Sequence, residues 1–422
     1  MSGTIGSNIL SHSGTIAESA AGLNWVSDVV TASTVTVEAG NGYWINTTSN
    51  ACTITLPASA EAGDQIVIVD YARTWGTNSV TLDSNGLNFQ GNADTYTVEY
   101  TTDGQSVNLI YSDSTKGWIP LEDDVVADEP VQPPTQKAAF AYGSTGSVVS
   151  LKNLVGSNGV IAADVTGVGS ARSYLAAAGY GGDKGIFAYG TTGSRVSLKN
   201  LMGNTGTIAA DVTGVGTARD SLAASGYSDD KAIFAYGRNG GNVSLKNLVN
   251  NVGTVASDVT GVGTARRGIA AARYGSDKAV FAYGYSSGLV SLKNLVSNVG
   301  VVAADVTGVG TARYYVAAVG YGEDKAIFAF GEASSDVTGV SNLVTSVGVI
   351  GTDVSAVGTA RYALGAARYG GDKAIFGYGF LGNGSVVSMS NLVNTSGVIA
   401  SDVTGVGSDR GGIAAAEYSF SA

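Results

Sequence analysis

Apolar and polar residues alternate in short runs through the first third of the chain, as in "STVTVEAG" (33–40), "ACTITLPA" (51–58), "DQIVIVDYA" (64–72) and "QSVNLIYSD" (105–113). A period of two, broken every few residues by Gly, Asn, Asp or Ser, is the pattern of strands with one buried face. It predicts a β-sandwich or jelly-roll-like domain over residues 30–122. All four tryptophans, Trp25, Trp44, Trp75 and Trp118, fall before residue 123, which gives this region an aromatic core of its own.

From residue 137 the alternation acquires a second, longer period. Lys137, Lys184, Lys231, Lys278 and Lys325 follow one another at 47 residues and Lys373 at 48, so six repeats run to the C-terminus. Each holds four strand-like stretches, for example "KAVFAYG" (278–284), "LVSLKNLV" (289–296), "GVVAADVTG" (300–308) and "YVAAVGY" (315–321). Four short antiparallel strands repeated near this period describe the blade of a propeller. The first repeat starts on its "KAAFAYG" strand with "VQPPTQ" ahead of it, and the chain ends on the small-residue strand that the first repeat lacks, "GGIAAAEYSF" (411–420). Such an offset suits a ring, because a last strand paired into the first blade leaves no exposed sheet edge, whereas a solenoid ends in caps. The expectation is an all-β chain: a sandwich followed by a six-bladed β-propeller over 137–422, closed by its C-terminal strand.

With the strands named a (small residues, then Tyr), b (Lys-Ala-Ile-Phe-Ala), c (Ser-Leu-Lys-Asn-Leu-Val) and d (Ala-Asp-Val-Thr-Gly), an Arg before a and a Gly closing b, the order resembles kelch-type propellers. It lacks the kelch double glycine and the tryptophan after strand d, so the resemblance implies architecture and no kelch partner. The recurring Asp164, Asp211, Asp258, Asp305, Asp353 and Asp402, each followed eight residues later by Arg172, Arg219, Arg266, Arg313, Arg361 or Arg410, are expected to bridge blades. A calcium loop would need more oxygen ligands than "DVTGVG" supplies.

Against this constant background, the b–c loops and the two residues after each recurring Arg vary. Alternate connections of an up-and-down sheet emerge at one end, so both sets fall on one face, opposite the point where the chain enters the repeats. Tyr174, Arg238, Arg267, Tyr285, Tyr314, Tyr315, Tyr362 and Phe380 are the candidate ligand-binding residues, suited to stacking on and hydrogen bonding to a glycan or a protein.

Composition narrows the chemistry. The chain of 422 residues has a net charge of −11, split unevenly: residues 1–136 carry 16 acids against Arg73 and Lys116, a net −14, and residues 137–422 carry 18 acids against 21 bases, a net +3. Neither half offers the dense basic stripe of a nucleic-acid binder. One Cys, Cys52, excludes an intrachain disulfide; the one His, His12 in a polar N-terminal stretch, removes most hydrolase triads, His-ligated metal sites and imidazole acid/base chemistry from consideration. No catalytic residue, metal site or cofactor is expected. With no signal-like N-terminus and no run of 18 apolar residues, synthesis in a cytoplasm without membrane insertion is expected. Residues 123–136, "DDVVADEPVQPPTQ", read as an acidic, Pro-rich linker, and residues 1–29 as a docking segment.

The stretch "GNGYWINTTSNACTITLPASAEAGDQIVIVDYARTWGTNSVTL" (40–82), with "DGQSVNLIYSDSTKGWIPLE" (103–122) after it, resembles the β-rich attachment modules of tail-fibre and other virion appendage proteins of tailed phages. The "AAAGYGGDKAIFGYG" type of repeat is similar to repeats of phage tail proteins. The resemblance implies a structural virion protein assembled in the host cytoplasm, docked on other virion proteins through residues 1–122 and binding a host cell-surface receptor through the propeller loops. Modules of this kind are often trimeric, so a homotrimer through the N-terminal region is a further implication, although no heptad run is present. The alternatives are a capsid decoration, head fibre or spacer without a ligand, and an enzyme acting on glycans. Against the enzyme, Glu332 and Asp336, acids without counterparts in the other repeats, share one loop, and no sialidase-type Asp box occurs.

Overall fold

Alternating side chains with turn residues between them fold as strands throughout, and the computed structural model of the chain is all-β. It describes residues 9–12, 15–18, 23–94, 97–123, 136–334, 336–355 and 357–419. Among these no helix is long and apolar enough to cross a membrane. The chain divides into two compact units, residues 1–133 and 134–422.

In the first unit, β1 (Ile9–His12) and β2 (Thr15–Glu18) form a hairpin. Residues 1–8, 13–14 and 19–22 of the docking segment expected over 1–29, and residues 124–135 of the expected linker, lie outside the described residues. The remaining strands are β3 (Asn24–Trp25), β4 (Thr34–Thr36), β5 (Asn41–Ile45), β6 (Cys52–Thr55), β7 (Gln65–Asp70), β8 (Val80–Asp83), β9 (Val98–Tyr100), β10 (Ser106–Tyr111) and β11 (Trp118–Asp123). They divide between two sheets, ordered β11-β10-β7-β5-β3 and β4-β6-β8-β9. Ile54 and Leu82 of one sheet and Ile66, Ile68, Val107 and Leu109 of the other share one core with Trp75 and Trp118.

The two sheets share that core, and their strand order departs from a jelly roll. From β3 to β8 the chain crosses between sheets at every step, so β3, β5 and β7 pair in parallel, as do β4, β6 and β8. Only the later pairs, β8–β9, β7–β10 and β10–β11, are antiparallel. The physical reason is that burial alternates with period two in either pairing direction, so a half-buried strand carries no record of its neighbour's direction. Gly42 shows how tightly the coil is wound: a Cβ there would stand 2.8 Å from the Trp25 ring, which stacks on Trp44 at 4.4 Å.

The second unit consists of six open, three-stranded antiparallel sheets. Their middle strands are Lys137–Ala141, Lys184–Ala188, Lys231–Ala235, Lys278–Ala282, Lys325–Ala329 and Lys373–Gly377, and each is buried on both faces after its lysine. Third strands run Lys152–Val155, Lys199–Met202, Lys246–Val249, Lys293–Val296, Ser341–Val344 and Ser390–Val393. Ala176–Tyr180, Ala223–Tyr227, Ala270–Tyr274, Ala317–Tyr321 and Gly365–Tyr369 supply the inner strands of five sheets. The inner strand of the first sheet is Ala414–Tyr418, from the far end of the unit, registered Lys137↔Tyr418 through Ala141↔Ala414. Each inner strand packs on those of the sheets before and after it, and Ala414–Tyr418 packs on both Gly365–Tyr369 and Ala176–Tyr180. Small side chains permit that approach.

Each junction between consecutive sheets has its own core. An aromatic ring closing one middle strand packs on the Phe of the next, from Tyr142–Phe187 at 5.7 Å round to Tyr378–Phe140 at 5.2 Å. The fourth strand expected in every repeat is replaced by isolated bridges such as Val155↔Ile161 and Lys152↔Val165. The reason lies in Asn153: the d segment bulges by one residue opposite it, and its buried side chain donates to the carbonyl of Ala162 and to Asp164, 2.9 Å each, in place of ladder bonds.

Candidate functional site

The loop face of the second unit is built on the recurring arginines. Arg172, Arg219, Arg266, Arg313, Arg361 and Arg410 are fully buried. In each, the guanidinium lies 4.2–4.5 Å from the centroid of the aromatic ring that ends a middle strand, as Arg313 does over Tyr283. It donates to the Asn Oδ1 of the adjoining third strand, for example Arg313 to Asn342 at 2.7 Å. Its ion-pair partner is the Asp of the following repeat: Arg172 with Asp211 at 3.7 Å, and so on to Arg410 with Asp164 at 3.2 Å. The aspartates also accept from the amide and hydroxyl of a Ser or Thr two residues before the Arg, as Asp353 does from Thr311 at 3.0 and 2.6 Å. The charges therefore serve as bridges, each carboxylate already held by hydroxyl, amide and guanidinium donors. Among the described residues no group of three or more His, Cys, Asp or Glu is arranged to hold a metal ion.

Two residues after each Arg the chain turns through a left-handed residue: Tyr174, Ser221, Gly268, Tyr315, Ala363 and Gly412 have φ between 50° and 61°. That region disfavours L side chains, and only two of the six are glycine. What holds the conformation is a circuit of backbone hydrogen bonds. Tyr174 donates to Gly412, Ser221 to Tyr174, Gly268 to Ser221, Tyr315 to Gly268, Ala363 to Tyr315 and Gly412 to Ala363, at 2.7–3.0 Å. These residues line a small cavity at the end of the inner strands. Tyr174 and Tyr315, three repeats apart, meet across it with ring centroids 5.4 Å apart.

Outside this circuit the two variable sets meet residue by residue. The first residue after each Arg bridges to the b–c loop of its own sheet: Ser173↔Thr191, Asp220↔Arg238, Arg267↔Tyr285, Tyr314↔Glu332, Tyr362↔Phe380 and Gly411↔Ser144. The candidate aromatics form a connected surface. Tyr285 contacts Tyr314 (5.9 Å), Tyr314 contacts Tyr315 (4.5 Å), Tyr315 contacts Tyr362 (6.0 Å), and Tyr362 stacks on Phe380 (5.3 Å). Arg267 lies over Tyr285 at 4.6 Å and reaches Asn242 at 3.4 Å. Tyr174, Arg267, Tyr285, Tyr314, Tyr315, Tyr362 and Phe380 are all half-buried, with one side packed and the other open to solvent. Arg238 is exposed and makes no ring contact; Asp220 beside it pairs with Arg195 at 2.8 Å.

Electrostatics keep this surface uncharged at its centre. Burial, then the hydrogen bond and charge of Glu332, hold the Tyr314 hydroxyl well above its usual range. Burial followed by the neighbouring tyrosines does the same for Tyr174. Tyr315 is raised by burial while its bond to Ser221, 3.3 Å between hydroxyls, works the other way. The arrangement offers ring faces with neutral hydroxyl donors and acceptors, and Glu332 as an acceptor at the edge.

Glu332 and Ser221 were not expected in this cluster, because an acid in a Gly/Ser-rich loop gives no sign of its bridge partner. A second set escaped for a different reason. The penultimate residues of the inner strands read Gly179, Gly226, Arg273, Gly320, Arg368 and Glu417, and the three charged ones line the opposite end of the space between those strands. Arg368 is buried and donates to the Gly371 carbonyl; Arg273 bonds the Ser276 carbonyl and Asp229. Variation against a constant background was the available signal there too, but it lies inside a strand.

A scan of the chain against protein-family models finds no match, and a search of curated proteins finds none.

Proposed function

We propose that residues 137–422 form a six-bladed β-propeller latched by its C-terminal strand, and that its loop face binds a receptor. The latch rests on the pairing of Ala414–Tyr418 with Lys137–Ala141 and on the hydrogen-bond circuit that returns through Gly412 to Tyr174. The observation that carries the binding reading is the connected cluster of Tyr285, Tyr314, Tyr315, Tyr362 and Phe380 on the one face where the repeats differ. Half-buried rings lose little entropy on binding and present apolar faces with polar tips, which suits stacking on a sugar or anchoring a protein contact. No step of bond-making chemistry is assigned: the hydroxyls of Tyr174 and Tyr314 stay protonated, and Glu332 is engaged by Tyr314.

The chain is then read as a virion appendage of a tailed phage. It attaches through residues 1–122 and displays the propeller to a host-surface glycan or protein. Support comes from the resemblance of residues 40–122 to appendage attachment modules and from the entry of the repeats at Gln136. That residue's carbonyl accepts from Gly370 at the end of the inner strands remote from the aromatic loops.

The test is adsorption of the labelled full-length protein to a panel of bacterial cells and isolated surface glycans, with the Tyr314→Ala/Tyr315→Ala double variant beside it. Loss of two central aromatic anchors should weaken binding about tenfold or more while the thermal unfolding transition of the propeller persists. Equal adsorption by a folded double variant would refute the receptor face.

A further inference from the structure

Four junctions between sheets share a device that the remaining two lack. The first residue of the third strand is Lys152, Lys199, Lys246 or Lys293, and its ammonium crosses to a glycine carbonyl of the following repeat. The acceptors are Gly206, Gly253, Gly300 and Gly348, at 2.8–2.9 Å. Each alkyl chain is half-buried along the junction, and burial lowers the pKa of each ammonium. A lysine here packs its methylenes on apolar surface and ends on a backbone acceptor.

At the same position the last two repeats carry Ser341 and Ser390. By the repeat register Ser390 faces Gly159, across the junction where the last sheet meets the first. There the structure has a cavity of about 180 Å³, lined chiefly by Gly159, Val160, Ile161, Leu392, Val403 and Val406. Among the described residues none donates to the Gly159 carbonyl. Water is poorly served by such walls, since an ordered water needs two to four polar partners.

We propose that this cavity receives a lysine side chain presented by another polypeptide. Its four methylenes would lie against Val160, Leu392 and Val406, and its ammonium would donate to the Gly159 carbonyl. The protein's own four lysines specify the ligand: the same glycine, the same reach and the counterparts of Leu392, Val403 and Val406 recur with the side chain already in place, with Thr207, Thr254, Val301 and Val349 at the position of Val160. A polypeptide source follows from the rim, where Val160 and Val403 are 63% and 46% exposed and offer apolar contact to residues flanking the lysine. This inference does not depend on the receptor reading, because the cavity lies at a junction away from the aromatic loops.

The experiment titrates the full chain, methyl-labelled at valine, with Nα-acetyl-lysine N-methylamide. Its norleucine analogue, which keeps the alkyl chain without the ammonium, and n-butylammonium run beside it. Expected are saturable millimolar shifts of the Val160 and Val403 methyls with the capped lysine, weaker ones with butylammonium and none with norleucine. In Ser390→Lys the shifts should vanish, and the melting temperature should rise by about 2–4 °C as the slot fills from within. A Ser390→Lys variant of lowered stability would overturn the proposal, as would shifts that persist in it or match those of norleucine. Tighter binding of butylammonium than of the capped lysine would overturn the polypeptide source.

Discussion

Arg313 and the Tyr314–Tyr315 pair are neighbours in sequence and opposites in role. Arg313 is fully buried, clamped by the Phe330 carbonyl, Asn342 and Asp353 against the Tyr283 ring; its counterparts repeat the Asn, Asp and ring contacts in every junction, and Arg266 and Arg361 repeat the carbonyl bond as well. Tyr314 and Tyr315 stand half-exposed immediately after it, and their counterparts range from Gly411-Gly412 to Asp220-Ser221. Recurrence marks the residues that hold consecutive sheets together, and variation marks those free to answer to something outside. The left-handed residue of the pair, Tyr315, is fixed by backbone bonds, so a side chain can change there without disturbing the clamp two residues away.

The comparison is broken most severely by removing what every junction depends on, the return of the chain end to the first sheet. Truncation after Arg410 deletes the inner strand of that sheet and takes Ile413, Ala414, Ala415, Ala416 and Tyr418 out of two junction cores. It also cuts the hydrogen-bond circuit at the loop face and its counterpart at the other end. There Gly181, Ser228, Gly275 and Gly322 donate to the Asp carbonyl of the next turn, Gly370 to Gln136 and Ser419 to Asp183. With Ile413 and Tyr418 each worth about 1.5–3 kcal/mol and each circuit bond roughly 1 kcal/mol, the loss should exceed about 5 kcal/mol. Urea unfolding followed by tyrosine fluorescence should show the repeat unit destabilised throughout; an unchanged midpoint would mean that the last strand is not a latch.

Arg313→Ala comes next. Removing the guanidinium leaves the buried Oδ1 of Asn342 without that donor, about 1–3 kcal/mol, and takes a desolvated cation off the Tyr283 ring, about 2 kcal/mol. Tyr314→Ala, one residue on, should cost under about 1.5 kcal/mol, because its ring is half-exposed and its ring contacts and its bond to Glu332 lie at the solvent side. Comparable losses from the two substitutions, read from denaturant midpoints at constant slope, would erase the distinction between clamp and face.

Much of the second unit was legible because repetition averages out local ambiguity. Six lysines spaced at 47 or 48 residues fix the repeat, and the missing first strand beside the surplus last one pointed to the pairing that the register Lys137↔Tyr418 displays. The meeting of the variable sets followed from counting connections. The fourth strand was misread because a bulge opposite Asn153 turns a ladder into bridges, and side-chain capture of a carbonyl leaves no periodic trace. The parallel coil of the first unit was not legible either: "DQIVIVDYA" alternates identically whichever way β5 and β10 run beside it. Of the candidate residues the ring contacts join all but Arg238, which variation selected as readily as the others although its side chain extends into solvent.

Acidity sharpens the comparison with the smallest expected effect at the face. For Asp164, Asp211, Asp258, Asp305, Asp353 and Asp402, burial works to raise the pKa, but donation from the Ser or Thr hydroxyl and amide, the Asn side chain and the Arg prevails, leaving each below its ordinary 3.8. A depressed carboxylate contributes stability that is fully present above about pH 4 and is lost as pH falls through the folded-state value. Each junction should therefore loosen below pH 4, with the melting temperature falling steeply there and level above it. Tyr174, Tyr314, Tyr315 and Tyr362 are shifted upward by burial and stay neutral far beyond that window, so adsorption should be flat from pH 6 to pH 9. Adsorption that titrates within this range while the fold remains intact would place an ionising group at the contact and refute recognition by the neutral rings.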